Sequence, residues 1–246
     1  MNIKAKYRPR TWAEWIGRRS AAEAQQLVRC APFQVGLTDV IGGGKSTMGY
    51  MMTKHLHCEA EQETRPCAVC PACLEVEAKW WRTGIGPIGM PGEGIFGSNW
   101  FRVFDCTTLL PTDVKALRDE FALYGRMPKV YVFDELHRAQ IPTQELFLKF
   151  LEEDLPGSMI FCIAKDHIGK ITKALLQRLY ILDIGKREPE ELLALVKRVT
   201  EGERIEVVDA SAPERLIEEC ACVPRDILNG LEIVAIEGRG LSLQAV

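Results

Sequence analysis

Residues 33 to 57 read FQVGLTDVIGGGKSTMGYMMTKHLH, an apolar run, three successive glycines with a lysine and a serine, and then a stretch compatible with a helix. No other feature narrows the fold as much. The pattern predicts a strand over Phe33–Leu37, a glycine loop, and a helix from Lys45 to about His57. Further apolar runs alternate with helical spacing along the chain. Strands are expected at Phe101–Phe104, Lys129–Phe133 and Met159–Ala164, with helices from Pro111 and over Thr143–Glu153. Such alternation predicts an α/β fold, a parallel, doubly wound sheet flanked by helices, whose ligands lie beyond the C-terminal ends of the strands.

From about Lys186 the pattern changes. EPEELLALVKRVTEG, SAPERLIEECACV and PRDILNGLEIVAIEG are three amphipathic stretches with no strand between them. The expected division is an α/β domain over 1–185 and a small all-α domain over 186–246. Residues 84 to 97, GIGPIGMPGEGIFG, hold six glycines and two prolines, which exclude a regular element and read as an inserted surface loop.

The composition excludes some classes of function. Of 246 residues 47% are hydrophobic and 26% charged, as in a folded protein, and the net charge of -3 provides no global field for nucleic acid or acidic membranes. The opening MNIKAKYRPR has no apolar segment behind it, and no stretch approaches the ~20 apolar residues of a membrane span. A cytoplasmic protein with no membrane partner is expected. In that compartment nine cysteines point to a metal site before disulfides.

Three motifs carry chemistry. In the glycine loop, Gly42, Gly43 and Gly44 free the backbone to wrap phosphates, Lys45 can reach the β and γ phosphates, and the Ser46 hydroxyl, with Thr47 beside it, can meet Mg2+. The consensus first glycine is replaced by Asp39, which adds negative charge beside a polyphosphate and predicts a weakened site that Asp39→Gly would strengthen. In VYVFDELH, Asp134 can hold Mg2+ and Glu135 can orient and deprotonate a water. Cys58, Cys67, Cys70 and Cys73 offer four thiolates in one short loop, a closed set suited to structural Zn2+ in a module at 58–73. His55 and His57 read as helix-surface residues, and the other cysteines as mostly core.

These motifs in this order, with the opening KYRPRTWAEWIG, the helix ending LKFLEED and the later VPRD, resemble the gamma/tau-type clamp-loader subunits of bacterial DNA polymerase III, which are AAA+ P-loop ATPases. The resemblance implies adenine-side contacts at Tyr7, Arg8, Ile16 and Gly17. It also implies a sensor near Asp166, a second sensor at Arg225, and an arginine finger at Arg178 that reaches a neighbouring subunit's ATP. The implied activity is hydrolysis of ATP with Mg2+ to load a sliding clamp onto primer-template DNA during replication. The implied assembly is a pentameric ring of clamp-loader subunits. The collar through which such subunits assemble has no counterpart in these residues. Lys165-Asp166 replaces a threonine pair, and Gln177 and Leu179 flank Arg178 in place of serine and cysteine. Asp39 and the altered Lys165-Asp166 pair favour a second reading, a non-hydrolysing delta-prime-like subunit, which the retained Lys45, Ser46, Asp134 and Glu135 oppose, and a third reading is a zinc-dependent adaptor with a vestigial ATPase domain. Lys115 and Arg118 are candidates to face DNA phosphates.

Overall fold

The computed structural model describes residues 2–80, 100–123, 128–153, 157–238 and 240–243; the glycine-rich stretch at 84–97 lies outside them. Five strands, β1 (Gln34–Asp39), β2 (Phe101–Asp105), β3 (Lys129–Asp134), β4 (Gly157–Ala164) and β5 (Tyr180–Asp183), form one sheet in the order β2-β3-β4-β1-β5. Every pairing is parallel. The chain leaves β1 for the far edge at β2, returns through β3 and β4, and then passes beyond β1 to β5. That reversal places a crevice at the C-terminal ends of the central strands, where ligands of such sheets bind.

Alternation along the strands explains both faces of the core. On β3, Val130 and Val132 point to one layer and Tyr131 and Phe133 to the other, and on β4 Ile160 and Cys162 oppose Met159, Phe161 and Ile163. The first layer is covered by α2 (Arg18–Arg29), α3 (Lys45–His57) and α4 (Pro71–Trp80), through Ala24, Val28, Met48, Met51 and Trp80. The second is covered by α5 (Pro111–Leu123), α6 (Ile141–Glu152) and α7 (Lys173–Arg178), where Phe133 meets Phe161 at 5.0 Å and Phe147 at 4.6 Å between ring centroids. A strand buried on both faces needs an apolar residue at nearly every position, and all eight of β4 are buried.

A third core joins α8 (Pro189–Glu203), α9 (Ala212–Glu219) and α10 (Pro224–Glu237). Ile3 of the short N-terminal helix α1 (Ile3–Lys6) belongs to this core, although the sequence reading assigns it to the first domain. α8 starts with a capping box between Glu188 and Glu191 and Pro189 in its first turn. Glu191 also accepts the N–H of Arg18 at 2.8 Å, which ties the segment around Gly17 to the start of α8.

Three structural details depart from the sequence reading. β5 and α2 were not anticipated: β5 is a four-residue edge strand with Tyr180 and Ile181 exposed, and α2 buries Ser20, Ala21, Ala24 and Val28. His55 is buried, not on a helix surface, because α3 is covered almost all round; Trp12 donates its indole N–H to His55 Nδ1 at 2.8 Å. Of the scattered cysteines, Cys106 and Cys162 are core, whereas Cys30 and Cys222 are exposed. No described helix is long and apolar enough to cross a membrane.

Candidate nucleotide cleft and cysteine cluster

β1 ends at Asp39, and the chain turns through Gly42 and Gly44 at φ +88° and +108° before α3 begins at Lys45. Only glycine adopts these angles without strain. The loop forms one wall of a cleft of about 630 Å³, within the range of small-molecule sites. Tyr7, Arg8, Ile16, Gly42, Gly43, Gly44, Lys45, Ser46, Thr47, Asp134, Glu135 and Arg225 all line it. The chain thus gathers at one crevice residues separated by more than two hundred positions.

Ser46 Oγ donates to Asp134 Oδ2 at 2.6 Å, bringing the first turn of α3 against the end of β3. A hydroxyl and a carboxylate so close are oxygen donors of the kind that a hard divalent cation takes, and their placement fits Mg2+. Lys45 is 6% exposed and donates from Nζ to the carbonyls of Asp39 at 3.1 Å and Val40 at 2.8 Å. Its ammonium therefore lies inside the loop, satisfied by loop carbonyls.

Glu135 is the residue after β3 and adopts left-handed backbone angles, φ +56°. Its carboxylate is held by Arg138 Nε at 3.3 Å and by His137 Nε2 at 3.3 Å. His137 Nδ1 accepts the N–H of Ala164 at 3.4 Å, so in the neutral ring the proton sits on Nε2 and points at Glu135. Burial lowers the His137 pKa, against the opposing pull of Glu135, which favours that neutral form. The tip of β4 and the acid at the tip of β3 are linked through one imidazole.

The N-terminal segment closes another wall. Burial raises the Tyr7 pKa and a hydrogen bond to Glu203 adds to the rise, while burial lowers that of Arg8, with Arg225 acting in the same direction. A Cβ on Gly44 would lie 3.3 Å from the Trp15 ring, so the loop rests on that indole. Three residues expected at the site lie away from the cleft lining. Gly17 caps α2 at φ +110°, Asp166 is exposed on the turn after β4, and Arg178 is exposed at the end of α7, where it pairs with Glu152 at 2.8 Å. Arg118 faces acids, Asp119 at 3.6 Å and Glu153 at 3.4 Å, and Lys115 is exposed on the same helix.

Asp39 is the largest surprise. Its side chain is 3% exposed and its Oδ2 lies 2.5 Å from Nη2 of Arg187, itself 4% exposed, so the carboxylate is directed onto an arginine. Nothing in the sequence marks Arg187, which lies 148 positions away, and Trp15 and Arg198 are further cleft residues without a motif.

The cysteine cluster lies at the other end of α3. Cys58 caps that helix, Cys73 lies in the first turn of α4, and Cys67 and Cys70 lie between, with all four sulfurs within 4.8 Å of one another. A tetrahedral Zn2+ with bonds of about 2.3 Å sets its sulfurs about 3.8 Å apart, and Cys58 and Cys70 are at 3.9 Å. The backbone N–H of Cys67 donates to Cys58 Sγ and that of Cys70 to Cys67 Sγ, both at 3.3 Å. N–H donation from Val69 in the same loop leads in lowering the Cys67 pKa to about 6, whereas burial raises those of Cys58 and Cys73. The donor set fits a structural metal.

A parallel five-stranded sheet with a glycine-lysine-serine loop at its switch point and an Asp-Glu pair on a central strand defines an AAA+-type P-loop domain. Among solved structures, RuvB of Thermotoga maritima, a Holliday junction branch migration motor, matches with a TM-score of 0.62 at 16% identity over 97% of this chain and 70% of that one. No protein-family model matches the chain. Protein STICHEL of Arabidopsis thaliana is 24% identical over all of this chain and 19% of its own length. The DNA polymerase III subunit gamma/tau of Mycobacterium tuberculosis is 25% identical over 94% of this chain and 38% of its own. The chain is thus similar to gamma/tau-type subunits of DNA polymerase III, and it spans well under half the length of these curated proteins that it matches.

Proposed function

We propose that this chain is the ATPase portion of a clamp-loader subunit, binding and hydrolysing ATP with Mg2+ to drive a sliding clamp onto primed DNA in the cytoplasm. The observation that carries the reading is the 2.6 Å contact of Ser46 with Asp134, beside the buried Lys45 and with Glu135 on the same wall. Ser46 and Asp134 would hold Mg2+, which would supply positive charge against the phosphates. Lys45 leaves its two loop carbonyls and turns to the β and γ phosphates. Glu135 orients and deprotonates the attacking water once it is released from Arg138, with His137 holding its position.

Tyr7, Arg8, Ile16 and Gly17 are assigned to the adenine side, and Arg225, at the start of α10, to sensing the phosphates from the helical lid. That lid is taken as 186–246 and the nucleotide-binding domain as 1–185, with α1 packed on the lid. Arg178 is exposed, as a finger serving a neighbouring subunit must be, and its partners would be the other subunits of a pentameric ring. Asp166 is assigned to the first sensor, and Cys58, Cys67, Cys70 and Cys73 to structural Zn2+.

ATPase activity with and without a sliding clamp and primed DNA tests the reading. Stimulation by both ligands that is lost in Lys45→Ala supports it, and activity indifferent to either ligand sinks it. A second reading, the non-hydrolysing delta-prime-like subunit, is favoured by the occupation of Glu135 by Arg138 and His137 and by the exposed position of Asp166. It predicts no turnover in any assembly.

A further inference from the structure

Asp39 occupies the place of the loop's consensus first glycine, and the surrounding chain is shaped to hold its carboxylate. A Cβ on Gly43 would lie 1.8 Å from Asp39 Oδ2, and one on Gly185 would lie 2.7 Å from Oδ1. Oδ1 also accepts the Val40 N–H at 2.7 Å. Two glycines from distant segments thus leave room for one acid.

Arg187 completes the arrangement. Its Nη2 donates both to Asp39 Oδ2 and to the carbonyl oxygen of Gly43, and Nη1 lies 3.5 Å from the Gly185 carbonyl. Its Nε is buried with no hydrogen-bond partner among the described residues. A buried pair with an unsatisfied donor is weak as a stabilising device, because the desolvation of both charges offsets their attraction. Its distinctive property is position. Arg187 lies between β5 and α8, two residues before Pro189, so one side chain joins the phosphate loop to the segment leading into the helical lid.

We propose that Arg187 is a positioning residue for the phosphate loop, with Asp39 as its anchor. The guanidinium fixes the Gly43 carbonyl and, with it, the peptide orientation that a polyphosphate would meet, and it ties that orientation to the root of α8. Asp39 is then not a flaw in the loop but half of a strap, and restoring the consensus glycine removes the anchor and leaves a buried arginine unpaired. The nucleotide part of this proposal rests on the proposed function; the strap itself does not.

The test uses the full chain with Mg2+ and a fluorescent ATP analogue, comparing wild type, Asp39→Gly, Arg187→Met, their double variant and Arg187→Lys by affinity and by thermal midpoint. Each of the first two single variants is expected to bind roughly tenfold more weakly or worse and to melt earlier. The double variant should lose less than the sum of the two on both readouts. Arg187→Lys keeps a charge opposite Asp39 but lacks the guanidinium's fork; it should keep the midpoint and still bind more weakly, a separation that a purely structural pair would not give. Tighter binding by Asp39→Gly, additive losses, or wild-type affinity in Arg187→Lys overturns the proposal. Should the wild type bind no analogue, the proposed function and the nucleotide part fall together. The midpoints then decide the strap, which non-additive losses uphold and additive losses overturn.

Discussion

The cysteine cluster and the nucleotide cleft lie at opposite ends of α3 and are assembled in opposite ways. The cluster draws four sulfurs from residues 58 to 73, and its own N–H groups donate to two of them. The cleft draws side chains from Tyr7 to Arg225, from nearly the whole length of the chain. A site that folds out of one short segment is fixed by spacing. A site that spans the chain depends on tertiary packing at every wall, so remote substitutions should reach it.

The largest expected effect follows from the local site. Cys73→Ser removes a fully buried thiol of the cluster proposed to hold Zn2+. Metal analysis should fall from one Zn2+ per chain to none, and the thermal midpoint by about 10 °C. Affinity for ATP should stay as in the wild type, and an equal loss of affinity would break the separation between the two sites. Next, Glu135→Gln should reduce ATP turnover in the assembled loader by roughly 10²–10⁴-fold while binding persists. Loss of binding instead would place Glu135 among the residues that hold the loop.

The smallest effect concerns the helix that joins the two regions. Burial, assisted by Arg65 and Arg29, lowers the His55 pKa from 6.5 to about 4. Between these values the unfolded chain takes a proton that the folded chain refuses, so stability is full above about pH 6.5 and is lost as pH falls towards 4. His55→Gln should flatten that part of the midpoint-against-pH curve. An unchanged slope would show that other groups set it.

Legibility followed the same division. The four cysteines declare themselves by spacing, and the loop and the Asp-Glu pair each follow an apolar run that is buried in the sheet. Arg187 was invisible, since no local pattern marks a side chain whose partner is 148 positions away, and so Asp39 read as a liability. β5 was too short and too exposed to signal a strand. His55 was misread because a helix buried all round, with Lys54 fully enclosed and its ammonium 3.0 Å from the Tyr50 hydroxyl, carries polar residues inside.

Lys45, Ser46 and Asp134 are proposed to form a working Mg2+-ATP site. Equilibrium binding of labelled ATP to wild type and Lys45→Ala, titrated with Mg2+, tests it most directly. Tight, Mg2+-dependent binding by the wild type and an affinity roughly 10²-fold weaker in Lys45→Ala are predicted. No binding by the wild type, or equal binding by both proteins, would contradict the account.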